Sequence, residues 1–413
     1  MSLKNPLAFV SFKKNLRAHF SLEFIKIGFI NALLMSAFIF FALFEADFGR
    51  FYDFVASFAC ALFIIGFVCM ITRNPNASTW FWGGFFIGIF WFYWIAYSLI
   101  YFELAWLIPF EIIAIACLYG IIFAFCFLIF KIFHLISIKI LKLKFQKLLK
   151  IIFLSVALFC AQFIHPFGFN WLNFSLPFLN TPLQSILIGK PSTKITPFKV
   201  YLNPPQFSQK EKWSKSARAS IIKANLNTID QAISQNARLV ILPETTFAFS
   251  LSSNSNLHKI LLEKSQKIAI LAGAIGFDNN LNYNSAFFYD KGAFKRIDKY
   301  ILVPFGEQIP LPNFMRDFIN AKFFAGASDF ASAKMPENIQ IDGVSMRVAI
   351  CYEGTRPEFY ESKPEILALI SNNAWFKPST QAVLQKLLLR YYARKNSTLI
   401  YHSANGSQSQ ILR

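Results

Sequence analysis

Charged side chains are scarce in this 413-residue chain, at 15%, and acidic residues number only 22 against 41 Lys and Arg. A soluble domain of ordinary composition carries about 25% charge, so a single soluble domain is excluded as the reading of the whole. A disordered chain would be more polar still. Cysteine occurs six times, too thinly for a disulfide scaffold. Also missing are a CxxC pair, an HExxH pair, a P-loop and a GxGxxG turn. Metal and nucleotide chemistry therefore have no motif to rest on, and neither a metal nor a cofactor is expected. The net charge of +19 is compatible with a nucleic-acid partner or an anionic membrane. In so apolar a chain the lysines read instead as markers of cytoplasmic loops, with a lipid bilayer and no nucleic acid as partner.

What the chain has in abundance is apolar surface: 55% of its residues, with 51 Phe and 8 Trp. It is concentrated in uncharged runs at 27–44, 54–71, 80–102, 112–130 and 151–169, each of 18 to 23 residues. About 20 helical residues cross the hydrocarbon core, so five transmembrane helices are expected. Lys4, Lys13, Lys14, Arg17 and Lys26 precede the first run, and Lys131, Lys139, Lys142, Lys144, Lys147 and Lys150 separate the fourth from the fifth. Under the positive-inside rule both segments are cytoplasmic, and five spans then carry everything after residue 170 to the outer side. A further uncharged stretch, 174–188, holds two prolines. It reads as interfacial or re-entrant, and a sixth span there would reverse the placement of the C-terminal half.

The character changes near Lys190. Short apolar runs at 220–222, 239–242, 268–271, 348–350 and 366–370 alternate with amphipathic stretches, of which 216–235 and 381–395 look helical. Strands interleaved with helices imply an α/β domain with buried strands. The expected organisation is a membrane domain over 1–194 and a soluble domain over 195–413.

Five cysteines fall inside expected spans, where Cys is an ordinary small apolar residue. Cys351 stands alone in the soluble part, directly after the apolar run RVAI (347–350). A nucleophile at a sharp turn past a strand end meets both ligand and backbone N–H groups, although from the local sequence alone a structural Cys capping a strand is the plainer reading. Glu244 follows the run RLVIL (238–242), and Lys299 stands just ahead of another apolar run. A carboxylate can take the thiol proton and a lysine can offset a developing oxyanion. Together the three make an acyl-transfer set without histidine.

LPET (242–245), DKYILVPFGEQIP (298–310), CYEG (351–354) and SNNAWF (371–376) resemble the motifs of the carbon–nitrogen hydrolase (nitrilase) superfamily, in the family's order. Placed after several spans, such a domain resembles the apolipoprotein N-acyltransferase branch. The aromatic-rich segments 80–98 and 167–172 are similar to that branch's membrane motifs. The resemblance implies an α-β-β-α sandwich with Glu244, Lys299 and Cys351 as its triad. It also implies supporting or substrate-binding roles for Glu307, Tyr352, Glu353 and Trp213. Asn373 and Lys377 depart from the family pattern, which has Asp and Gly there. The chain also stops where the family continues into more sandwich and a last helix, so a domain cut short at its C-terminus is expected.

The activity implied is transfer of a fatty acyl chain from a phospholipid to the α-amino group of a diacylglyceryl-cysteine lipoprotein, at the outer face of a bacterial inner membrane. Two alternatives stand beside it: a membrane-tethered amidase or nitrilase with water as acceptor, and an inactive truncated homologue that only binds lipid. Trp80, Trp82, Trp91 and Trp94 read either as lining a lipid passage or as ordinary packing.

Overall fold

The computed structural model describes residues 21–44, 52–141, 146–164, 166, 191–251, 254–323 and 329–413. The chain divides into two compact units, one of Met1–Leu99 with Glu103–Thr181 and one of Ile100–Phe102 with Pro182–Arg413.

The first unit is helical: α1 (Leu22–Ala42), α2 (Tyr52–Thr72), α3 (Ala77–Phe92, continued as a 3₁₀ stretch over Tyr93–Phe102), α4 (Ile108–Leu141) and α5 (Gln146–Cys160). Segments Leu22–Ala42, Ala77–Phe102 and Ala105–Lys139 are long and apolar enough to cross a membrane, and they hold the first, third and fourth expected spans. The second expected span falls on α2, whose apolar segment Ser57–Thr72 is shorter. Part of the fifth falls on α5, and the 174–188 stretch lies outside the described residues.

Ser21 caps α1 through Phe24 N–H, and Asn76 caps α3 through Ser78 and Thr79 N–H, so each helix starts where a side-chain oxygen satisfies free donors. The Gly84–Gly88 pair lets α3 meet the backbone of α4. A Cβ at Gly84 would stand 2.4 Å from Tyr119 O, and one at Gly88 would stand 2.9 Å from Ala116 Cα. Trp80, Trp91 and Trp94 are buried in this unit, and their indole N–H groups donate to Met70 O, Ser36 Oγ and Trp91 O. These three tryptophans pack the bundle rather than line a passage, because an indole in an apolar interior must find an acceptor for its N–H.

The second unit is built on two sheets. One has the order β1 (Val200–Tyr201), β2 (Leu239–Ile241), β4 (Ala269–Asp278), β5 (Leu281–Asp290), β6 (Ala293–Asp298), with β3 (Phe247–Ser250) also paired to β4. The other runs β11 (Gln410–Leu412), β10 (Leu399–Asn405), β9 (Ile366–Asn372), β8 (Val344–Ile350), β7 (Asn338–Ile341).

Alternation of side chains along each strand decides the layering. Leu239, Ile241, Ala269 and Leu271 of the first sheet share one core with Met346, Val348, Ile350, Ala368 and Ile370 of the second. Their neighbours Val240, Leu242, Ile270 and Ala272 face the other way, against Ile229 and Ala232 of α7 (Arg218–Ser234) and Leu257 and Leu261 of α8 (Ser255–Lys264). On the far side of the second sheet α10 (Gln381–Asn396) lies against β10 and β11 and buries Leu384, Leu387 and Leu388. The layers are thus helix, sheet, sheet, helix. Each fully buried Leu or Ile contributes roughly 1.5–3 kcal/mol. Two shorter helices, α6 (Gln209–Trp213) and α9 (Asn313–Phe323), complete the unit.

Candidate active site

Three strand ends carry the residues singled out by chemistry. β2 ends at Ile241 and leads through Leu242 and Pro243 to Glu244. β6 ends at Asp298, directly before Lys299, so Lys299 follows a strand instead of opening one. β8 ends at Ile350, directly before Cys351. Two of these turns are strained: Cys351 has φ +55° and Thr245, next to Glu244, has φ +45°. Non-glycine residues hold the left-handed region at a cost of about 1–3 kcal/mol, a cost typical of functional turns. Gly273 on β4 makes room for the first turn, since a Cβ there would stand 2.6 Å from Glu244 Cα.

Glu244, Lys299 and Cys351 come together. Lys299, wholly buried, lies 3.7 Å from Glu244 Oε1 and meets Glu307 at 2.9 Å (Oε1) and 2.8 Å (Oε2). Asn284 of β5 donates from Nδ2 to Glu244 Oε1 at 2.7 Å and to Glu307 Oε1 at 2.6 Å, holding the two carboxylates in register. The Cys351 thiol feels the charges of Glu244, Lys299 and Glu307, and the backbone of Asn372 hydrogen-bonds it. Burial pushes the thiol well above its ordinary range, and Glu244 adds to that while Lys299 opposes it. Burial by itself would lower Lys299, but Glu307 and Glu244 outweigh it and hold the ammonium firmly protonated. The set therefore offers a carboxylate base, a permanent cation and a protonated thiol that needs both in order to ionise.

The supporting residues divide by what they touch. Glu307 braces Lys299 and is itself fixed by Val303 N–H at 2.8 Å. Glu353 accepts from Tyr300 N–H (2.6 Å) and Ile301 N–H (3.0 Å) with one oxygen, and from Ile350 N–H (2.6 Å) with the other. It thereby ties the segment after Lys299 to the residue before Cys351, and burial pushes its carboxyl up to about 7. The Tyr352 ring is buried and its hydroxyl accepts from Arg356 at 2.8 Å. Trp213 is half-exposed, with its ring 6.5 Å from that of Trp375.

Sequence reasoning missed three residues that the fold brings to this cluster. Asn284 sits within a strand with no motif around it. Asn372 belongs to SNNAWF, but its backbone contact with the thiol has no sequence signature. Lys212 reads as one of several solvated charges in QKEKW, yet it is buried and donates to Glu244 O (2.8 Å) and Thr245 Oγ1 (2.9 Å).

Residues 22–189 match the family model "Apolipoprotein N-acyltransferase integral membrane domain", and residues 204–401 match "Carbon-nitrogen hydrolase". An apolipoprotein N-acyltransferase of Wolinella succinogenes is 36% identical over 421 residues, covering 94% of this chain and 95% of the relative. The chain belongs to the apolipoprotein N-acyltransferase family. A second member, from Campylobacter jejuni, is 32% identical over 94% of this chain and 89% of its own length. A third, from Helicobacter pylori, is 34% identical over 80% and 82%. The family is one of acyltransferase enzymes of the nitrilase superfamily, and this chain is a multi-pass membrane protein.

Proposed function

We propose that the protein transfers a fatty acyl chain from a membrane phospholipid to the N-terminal α-amino group of a diacylglyceryl-cysteine apolipoprotein, through a thioester on Cys351. The reading takes residues 195–413 as the catalytic domain, on the outer side of the inner membrane. The observation that carries it is the meeting of buried Glu244 and Lys299 with the partly buried Cys351 in one cluster.

In the first half-reaction Glu244 takes the thiol proton and the thiolate attacks an ester carbonyl carbon of the phospholipid. As the C–S bond forms, the carbonyl electrons move to oxygen. Lys299 and the Tyr352 backbone N–H stabilise that oxyanion, a contribution of about 3–4 kcal/mol for a well-aimed donor. Collapse breaks the C–O bond, and the departing glycerol oxygen recovers the proton from Glu244. Lysophospholipid leaves, and the acyl chain stays on sulfur.

In the second half-reaction the lipoprotein amine attacks the thioester and gives its proton to Glu244. The C–S bond then breaks, the thiolate takes the proton back, and an amide is released. Splitting one difficult transfer into two easier ones is what a covalent nucleophile supplies. Water has to be kept from the intermediate, which fits two acyl-bearing substrates that never leave the bilayer.

A detergent-solubilised preparation with a tagged-acyl phospholipid and a synthetic diacylated lipopeptide tests this. The expected product is lipopeptide carrying the tag as an amide, absent with Cys351→Ala. Release of the tag as free fatty acid, with none on the peptide, would favour a hydrolase.

A further inference from the structure

Lys212 has no place in the reaction just described, yet it is almost fully buried beside it. Its ammonium group donates to Glu244 O and to Thr245 Oγ1, and Glu244 and Cys351 are the charged groups that face it. It stands on α6, a single turn opened by a capping box in which Ser208 and Glu211 satisfy each other's backbone. Three residues earlier, on the same face, Gln209 accepts from Asn372 Nδ2 at 2.9 Å. Asn372 is the residue whose backbone meets the Cys351 thiol. One helical turn thus fastens both the Glu244 turn and the turn that contacts the nucleophile.

Pinning two oxygens does not call for a charge, and a buried ammonium is costly unless something nearby offsets it. Glu244, Glu307 and Glu353 bring three carboxyl groups to this interior, and Lys299 supplies one cation. Lys212 supplies the second.

We propose that Lys212 is a positioning residue for the nucleophile: it fixes the Glu244–Thr245 turn and, as the second cation of the cluster, favours the ionised form of the Cys351–Glu244 pair. The proposal rests on Glu244 and Cys351 being the proton-transfer pair. Lys212 is faced by Glu244 and Cys351, and the thiol is faced also by Lys299 and Glu307. Burial holds Lys212 down to about 7, against the upward pull of Glu244 and Cys351. Its cationic support is therefore greatest on the acid side of neutrality and is withdrawn as pH rises.

The test is the rate of Cys351 alkylation by iodoacetamide between pH 6 and 10, read by mass spectrometry of the Cys351 peptide. The wild-type protein, Lys212→Met, Lys212→Gln and Lys212→Arg are compared. Loss of a nearby cation moves a thiol by about one unit or more, so at pH 6 to 7 Met and Gln are expected to slow alkylation about tenfold, a gap that closes above pH 8 where Lys212 is itself neutral, while Arg keeps the faster rate. Gln keeps a donor for the turn but no charge, and it decides the matter if Met fails to fold. Equal alkylation rates at pH 6 in wild type and folded Lys212→Gln would overturn the proposal. Alkylation reads ionisation and not acyl transfer, so failure here is distinct from failure of the proposed reaction.

Discussion

Glu307 holds Lys299 with both carboxylate oxygens, at 2.9 and 2.8 Å, closer than the 3.7 Å that separates Lys299 from Glu244. The lysine thus has a dedicated counter-ion and leaves Glu244 free to exchange a proton. Both partners are largely buried, and breaking such a pair from one side costs about 3–5 kcal/mol. Glu307→Ala is expected to lower the thermal midpoint of the solubilised protein and to slow acylation of Cys351 by roughly a hundredfold, near the loss from one misplaced oxyanion donor. Wild-type acylation in a folded Glu307→Ala protein would remove the bracing role.

His402 on β10 is buried, and neither ring nitrogen has a partner among the described residues. Burial holds it down to about 3, against an ordinary 6.5. The unfolded chain binds the proton first as pH falls, so this residue's contribution is present above pH 6.5 and is lost progressively down to about pH 3. Thermal midpoints taken from pH 7.5 to 4.5 are expected to fall more steeply for wild type than for His402→Leu, by an amount on the order of a few kcal/mol. Parallel curves would show that His402 does not set the acid limit.

Gly84 is the point where α3 touches the backbone of α4. Overpacking of a close contact costs about 1–3 kcal/mol, and here the obstructing atom is a main-chain oxygen that has nowhere to turn. Gly84→Leu is expected to lower the thermal midpoint in detergent, with Gly120→Leu, which would press on the Phe81 ring, as a second probe of the same interface. Unchanged midpoints in both would contradict this packing.

The proposed orientation places Lys139 on the cytoplasmic side and the catalytic domain outside. In a background cleared of reactive cysteines, Glu361→Cys is expected to react with an impermeant maleimide in intact spheroplasts, and Lys139→Cys only after lysis. Both residues are exposed. The opposite labelling pattern would reverse the topology.

Much of this arrangement was legible in the residues. The runs that became α1, α3 and α4 were long and uncharged, and the RVAI run became the end of β8 with Cys351 immediately past it. The short run at 220–222 (SII) instead lies in α7, because a run that short fits a strand and a buried helix face equally. Sequence spacing also could not tell which carboxylate braces the lysine: Glu307 gives its oxygens to Lys299, Asn284 and Val303 N–H, whereas Glu353 gives its own to three backbone N–H groups. Asn284 and Lys212 acquire meaning only when β5 and α6 are folded against the Glu244 turn.

The central claim is that Cys351 carries the acyl chain. The protein incubated with a tagged-acyl phospholipid and no acceptor, then digested and analysed by mass spectrometry, tests it most directly. The account predicts the acyl mass on the Cys351 peptide, removed by neutral hydroxylamine and lost in Glu244→Gln and Lys299→Met. Acyl transfer to lipopeptide that persists in Cys351→Ala, with no thioester ever formed, would contradict it.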